Sequence, residues 1–252
     1  MSNTGKEEVT YKLGTIDAAT AYTFSNQSYP DPLAEMNFVD SYATINLSES
    51  KVTLAPGARK LISVWATPPA VNATRLPVYS GYVTIKGTNG ESLSLPYQGI
   101  AGSLRSTRVM DSTKLIVVGD GSWAYPPVNR TLTFHFSKPD SDKEHPPSSQ
   151  PAAVARLTFG TPLVHIEAIK IGSGNVTLSN STTNLGDILG SPQLWRNRGT
   201  SPFSWNGQLA DKSYAPEGRY RFAVRALHVF GNEMNETDYD VLFTEDFKIR
   251  YR

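Results

Sequence analysis

The run Arg219-Tyr220-Arg221-Phe222-Ala223-Val224-Arg225-Ala226-Leu227-His228-Val229-Phe230 decides the fold of this chain. Tyr220, Phe222, Val224 and Ala226 alternate with Arg219, Arg221 and Arg225. Successive side chains of an extended strand point to opposite faces, so this is the pattern of a strand with one apolar and one wet face. A helix would instead cluster its apolar residues three and four apart.

The same period recurs outward from that run. Lys60–Ala66 sets Ile62 and Val64 against Leu61, Ser63 and Trp65, and Gly81–Lys86 sets Val83 and Ile85 against Tyr82 and Thr84. Shorter strands are predicted at Val9–Leu13, Thr44–Leu47, Ser92–Tyr97, Leu115–Val118, Thr131–Phe136, Arg156–Phe159, Val164–Ile169, Val241–Phe243 and Phe247–Tyr251. Asn89-Gly90 separates two alternating runs as a hairpin marker, because both residues tolerate positive φ. Ala55-Pro56-Gly57 and Ala215-Pro216-Glu217-Gly218 read as proline-first turns. Helical periodicity is nearly absent, with one turn conceivable at Pro32–Met36. Many short, closely spaced strands imply an all-β chain of two sandwiches in tandem, 1–104 and 105–252. Ser103–Thr113 reads as the polar crossing between them. Lys138–Pro151, crowded with Pro, Ser and charge, reads as a disordered loop within the second.

Composition narrows the function classes. The 252 residues are 39% hydrophobic and 10% aromatic, enough for a folded core. Lys and Arg total 24 against 23 Asp and Glu. A net charge of +1 argues against a dedicated nucleic-acid or anionic-membrane partner. No apolar run reaches the length of a transmembrane segment. Cysteine is absent, which removes disulfides, thiolate zinc sites and cysteine nucleophiles. The polar start Met1-Ser2-Asn3-Thr4-Gly5-Lys6-Glu7-Glu8 is not a signal peptide. Seven of the fourteen asparagines nevertheless open an N-x-S/T sequon: Asn26, Asn46, Asn72, Asn129, Asn175, Asn180 and Asn235. About three would be expected by chance; the excess reads either as Asn, Ser and Thr populating β-turns or, together with the missing signal peptide, as a fragment of something secreted.

Three strings in the first half then carry a resemblance. They are Val52-Thr53-Leu54-Ala55-Pro56-Gly57-Ala58, Pro77-Val78-Tyr79-Ser80-Gly81-Tyr82-Val83 and Leu95-Pro96-Tyr97-Gln98-Gly99-Ile100-Ala101-Gly102, preceded by Asn3-Thr4-Gly5 and Val9-Thr10-Tyr11. In this order they resemble the fibronectin type III-like domain that follows the catalytic domain in large secreted or cell-envelope subtilisin-like peptidases, particularly fungal ones. The likeness covers residues 2–104. The remainder resembles the C-terminal region of the same enzymes more loosely, through Phe203-Ser204-Trp205-Asn206-Gly207, Pro216-Glu217-Gly218-Arg219-Tyr220 and Arg225-Ala226-Leu227-His228-Val229-Phe230-Gly231. The resemblance implies two immunoglobulin/fibronectin type III-like sandwiches. It further implies a non-catalytic accessory region, with the catalytic domain of the parent peptidase as its partner in cis and protein substrates contacting it. Placement outside the cell or in the cell wall follows for the parent. Within the motifs, Pro56-Gly57 is expected to make a turn, Gly81 to avoid a facing sheet, and Gly99 and Gly102 to adopt backbone conformations that other residues resist.

The chemistry of a subtilisin requires Asp in D-[ST]-G, His in H-G-T and Ser in G-T-S-M-A. Gly199-Thr200-Ser201 matches partly, but Pro202-Phe203 follows and a loop tripeptide is the expectation. His135, His145, His165 and His228 precede Phe, Pro, Ile and Val, and Asp120 precedes Gly121 directly, so no catalytic residue is assigned. Asp140, Asp142 and Glu144 open like a calcium loop. With Lys143 among them and no Gly, they read as a solvated acidic loop, and no metal ligand is assigned. Gly172-Ser173-Gly174 lacks the third Gly and the helix of a phosphate loop, and no cofactor is expected. Trp123, Tyr125, Trp195 and Trp205 could form a sugar-stacking platform, which supplies the alternative of a secreted adhesion or carbohydrate-binding module.

Overall fold

The computed structural model describes residues 1–24, 36–119, 121–127, 130–137, 149–172 and 182–252. Two compact units emerge, Met1–Ser103 and Leu104–Arg252, and both are built from strands. The chain is a tandem of β-sandwich domains with only two 3-10 turns, at Ala73–Arg75 and Glu236–Asp238, among the described residues. No helix among these residues is long and apolar enough to cross a membrane.

In the first unit a long strand β1 (Val9–Tyr22) organises the sheet. β4 (Lys51–Leu54) pairs with its beginning and β2 (Asn37–Val39) with its end, while β6 (Val78–Gly87) runs along its other side and carries β7 (Ser92–Ile100) at the edge. β3 (Thr44–Leu47) and β5 (Val64–Thr67) form a separate antiparallel pair. The expected alternation appears where strands face the core: Val9, Tyr11 and Leu13 of β1, Val52 and Leu54 of β4, and Ile85 of β6 pack as one cluster. Lys60–Ala66 is shorter than expected; the strand covers Val64–Thr67 and all four residues are exposed, while Ile62 packs on that cluster from outside the strand.

The glycines of this unit act differently from expectation. Pro56-Gly57 does form the turn, with Gly57 at φ +75° and Ala58 N–H donating to Ala55 O at 3.0 Å. In the hairpin between β6 and β7 only Gly90 takes positive φ (+89°), and Asn89 instead accepts from Glu91 N–H through its side chain at 3.2 Å. Gly81 lies inside β6, and its Cβ space is taken by the Tyr97 ring and by Ile16 O of the two neighbouring strands, not by a facing sheet. Gly99 is its mirror: its register partner Tyr79 lies over it. Gly102 is required by closeness too, since a Cβ there would stand 2.7 Å from Ala73 O. Neither Gly99 nor Gly102 has positive φ, so room rather than backbone conformation selects them.

The second unit faces two sheets. One runs β10 (Thr133–Phe136), β18 (Phe247–Tyr251), β16 (Gly218–Leu227), β12 (Thr161–Ile171) and β13 (Thr182–Asp187), with β14 (Gln193–Arg196) also on β12 and β17 (Tyr239–Phe243) also on β16. The other runs β15 (Gly199–Ser204), β11 (Gln150–Leu157), β8 (Met110–Gly119) and β9 (Ser122–Ala124). The strand read first holds as β16: Tyr220, Phe222, Val224 and Ala226 are buried, opposite Lys170, Ala168, Ile166 and Val164 of β12. Trp205 sits at the centre of the core, edge-on to Phe136, Tyr220, Phe222 and Phe247. Tyr220 Oη donates to Pro216 O at 2.6 Å, the strand-entry bond known as a tyrosine corner in sandwiches.

Two boundaries move. Gln150 and Pro151 belong to β11 rather than to the loop expected over Lys138–Pro151, whose residues 138–148 lie outside the described ones. The expected crossing Ser103–Thr113 ends in strand, since β8 begins at Met110. The turn conceived at Pro32–Met36 falls outside the described residues up to Glu35.

Candidate functional site

The Gly-Thr-Ser sequence is not a loop. It opens β15, paired with β11 so that Ser201 faces Ala155 and Pro202 faces Val154. Pro202 is tolerated because β15 is the edge of its sheet. Ser201 is buried, and its Oγ accepts from Arg196 Nη2 at 2.9 Å. A guanidinium cannot take a proton from a hydroxyl, so this pairing does not activate Ser201.

Sequence reading overlooked two polar clusters that the pairing of strands assembles. His165, Asp187 and Ser191 repeat the residue types of a triad in a different wiring. His165 Nδ1 meets Asp187 Oδ2 at 2.9 Å, and Ser191 Oγ donates to Asp187 Oδ1 at 2.6 Å while accepting from Ile166 N–H at 2.8 Å. The carboxylate is central and the serine faces it directly, whereas acyl transfer needs the imidazole between them. Burial works against the Asp187 charge, but hydrogen bonds from His165 and Ser191 outweigh it and hold the carboxyl below its usual range. The cluster ties β12 to β13 and to the turn before β14.

The second cluster surrounds Asp240, which accepts from Val109 N–H at 2.6 Å and Met110 N–H at 2.9 Å through Oδ2. Buried His228 bridges Asp240 Oδ1 (3.1 Å) and Arg105 O (2.8 Å), and Arg105 Nη2 pairs with Asp238 at 2.6 Å. The hydrogen bond from Arg105, first, and that from Asn232 N–H keep the Asp238 carboxyl below its ordinary range. These contacts pin residues 105–110 to the unit they lead into. Both clusters therefore spend their polar groups on structure.

The four aromatics do not assemble into one platform. Trp205 is core, with its indole N–H donating to Gln208 O at 2.7 Å. Trp123 and Tyr125 are exposed and meet edge to face at 5.5 Å, which leaves no shared flat surface. Beside them, a groove of about 610 Å³ holds Arg219 and Asp246 already paired at 2.6 Å, and Glu245 already bonded to Leu115 N–H at 2.7 Å.

Trp195 stands elsewhere, on a groove of about 510 Å³ between the β12 and β14 ends and the turn after β16. Phe230 forms its other flank. Both rings are largely solvent-exposed, at 78% and 77%, and both residues adopt positive φ, +53° and +63°. Phe230 occupies the second central position of the turn closed by Gly231 N–H to His228 O at 2.9 Å, a place where positive φ normally selects Gly. Trp195 lies opposite Pro162 between the pairs Thr161↔Arg196 and Leu163↔Leu194, and Pro162 has no N–H to contribute to the ladder there. A left-handed conformation costs a bulky residue about 1–3 kcal/mol, and these two recover nothing through burial. The sequence signal was slight: a Phe-Gly pair after a strand, and a Trp that no alternation placed inside.

Of the seven sequons, Asn26, Asn129, Asn175 and Asn180 lie outside the described residues, as do Asp140, Asp142, Glu144 and His145. Asn46 is half-buried within β3 opposite Trp65. Asn72 and Asn235 share another geometry: each Oδ1 accepts from the N–H and hydroxyl of the sequon threonine, Thr74 at 3.1 and 2.7 Å and Thr237 at 3.2 and 2.9 Å.

The architecture defines a class, the tandem β-sandwich module. Residues 1–98 match the family model described as an Fn3-like domain, which covers most of the first unit and none of the second. No curated protein matches the chain.

Proposed function

We propose that this chain is the non-catalytic accessory region of a subtilisin-like serine endopeptidase, bracing the catalytic domain in cis and contacting protein substrates. The Fn3-like match of residues 1–98 carries the reading, because that family is found in the C-terminal region of subtilisin-like proteases. The order of the Pro56-Gly57, Gly81 and Gly99 motifs supports it further. The parent would act outside the cell or in the cell wall. Coding sequence read upstream of Met1 tests the proposal. An in-frame segment with D-[ST]-G, H-G-T and G-T-S-M-A is expected; a natural start at Met1 with no such segment would refute it.

Secretion of the parent through a eukaryotic pathway would bring glycosylation with it. Asn72 and Asn235 present their amide nitrogens from turns in which Oδ1 is already held, and are the favoured acceptors among the described sequons. Asn46, extended within a strand pair, is the least. Expression in a secreting eukaryotic host should add glycan mass at Asn72 and Asn235, removed by Thr74→Ala and Thr237→Ala. An unshifted mass at both would count against it.

A further inference from the structure

We infer that the groove flanked by Trp195 and Phe230 binds a short, uncharged oligosaccharide, independently of whether the parent is a peptidase. Its volume of about 510 Å³ falls in the range of ligand sites, roughly 300–1,000 Å³. The two rings come from separate elements, a strand and a turn, and no ring contact joins them among the described residues. They are thus two platforms along one groove, not a closed box. Each sugar can lay its C–H surface on an aromatic ring face, while the polar edges of the same sugar need hydrogen-bond partners.

Those partners are present and unspent. The Trp195 indole N–H, the Asn197 amide and the Glu233 carboxylate belong to lining residues, and none makes a hydrogen bond within the protein among the described residues. Amide and carboxylate groups each offer paired sites that match neighbouring hydroxyls. By contrast Thr161, also lining, has its hydroxyl committed to Leu227 O at 2.7 Å. Charge selects against the other occupants. Arg196 and Glu233 leave the lining with no net formal charge, and the Arg196 guanidinium is already bonded to Ser201 Oγ at 2.9 Å. Recognition of a cation by aromatic faces would require rings converging within about 6 Å of it, with no guanidinium in the wall.

The test uses the intact chain on an array of uncharged glucan, mannan and chitin oligosaccharides, followed by calorimetric titration with the strongest binder. Saturable binding is expected, with a blue shift of tryptophan emission as exposed Trp195 is covered. Trp195→Ala and Phe230→Gly should each weaken it at least about tenfold, equivalent to 1.4 kcal/mol. Phe230→Gly places the preferred residue at φ +63°, so loss of binding there cannot be put down to misfolding. Trp123→Ala, outside the groove lining, should leave affinity unchanged. The inference is overturned by a folded chain that binds no oligosaccharide, by binding that survives both groove variants, or by binding of choline or arginine amide instead.

Discussion

Replacing Gly99 by alanine places a methyl group inside the ring of its cross-strand partner. An ideal Cβ at Gly99 would stand 2.8 Å from Tyr79 Cε2 and closer still to Cζ and Oη, against about 3.5–4.0 Å for comfortable carbon contact. Tyr79 cannot swing into solvent: it is 7% exposed and packs with Ala43 and Ala101. Overfilling a packed site of this kind costs about 1–3 kcal/mol, and the ring overlap argues for the upper half. Tyr79→Ala alone should cost about 3–5 kcal/mol. In that background the clash is gone, and Gly99→Ala should gain about 0.5–1 kcal/mol, because alanine loses less conformational freedom in a strand. The sign of the same substitution therefore reverses. Native-state hydrogen exchange of the β6–β7 amides reports this unit separately from the other, and the double-mutant cycle gives the coupling. A cost below about 0.5 kcal/mol in the wild-type background, or an equal cost in both, would refute the packing argument.

Trp205→Ala removes the aromatic centre of the second unit and one of the two hydrogen bonds that Gln208 O accepts, the other coming from Leu189 N–H; a loss of about 3–5 kcal/mol by urea titration is expected, and a loss under about 1 kcal/mol would show that Trp205 is not core. Asp187→Asn should cost about 1–3 kcal/mol near neutrality. Because the folded-state value of Asp187 is depressed, its contribution is present above the unfolded carboxylate value and fades as pH falls through and below that range. The variant should accordingly show a shallower acid limb of stability against pH, and an unchanged limb would contradict the assignment. Chromogenic peptides and casein should not be hydrolysed by the purified chain; inhibitor-sensitive turnover that disappears in Ser201→Ala would overturn the accessory reading.

Sequence pattern located what depends on one strand at a time. Arg219–Phe230 is legible because a half-buried central strand leaves its alternation in the residues themselves, and Phe247–Tyr251 for the same reason. Gly199–Ser204 and Thr182–Asp187 are not, since Gly, Pro and Asn suggest turns and only pairing with β11 and β12 makes them strands. The Gly81–Tyr97 and Gly99–Tyr79 pairs need register, which no single strand encodes. The groove was illegible for another reason: it depends on two backbone angles, at Trp195 and Phe230, that local propensity argues against. The triad-like cluster was equally hidden, because His165 and Asp187 are 22 residues apart and meet only across a ladder.

β7 has a bearing on how the protein behaves in concentrated solution. Among the described residues it borders its sheet, and from Ser92 to Ile100 it carries no charged side chain. Leu93 and Leu95 share a face with buried Ile85 and Val83, yet each is 58% exposed. An uncharged border with apolar side chains offers a ready template to the same strand of a second molecule, and natural sheets usually blunt it with lysine or proline. Here the guard is Pro96, which removes one amide donor from the row. Self-association through this border should set the working concentration of the purified protein. Lysine in place of Leu95 would raise that ceiling, and a residue with a free amide at position 96 would lower it.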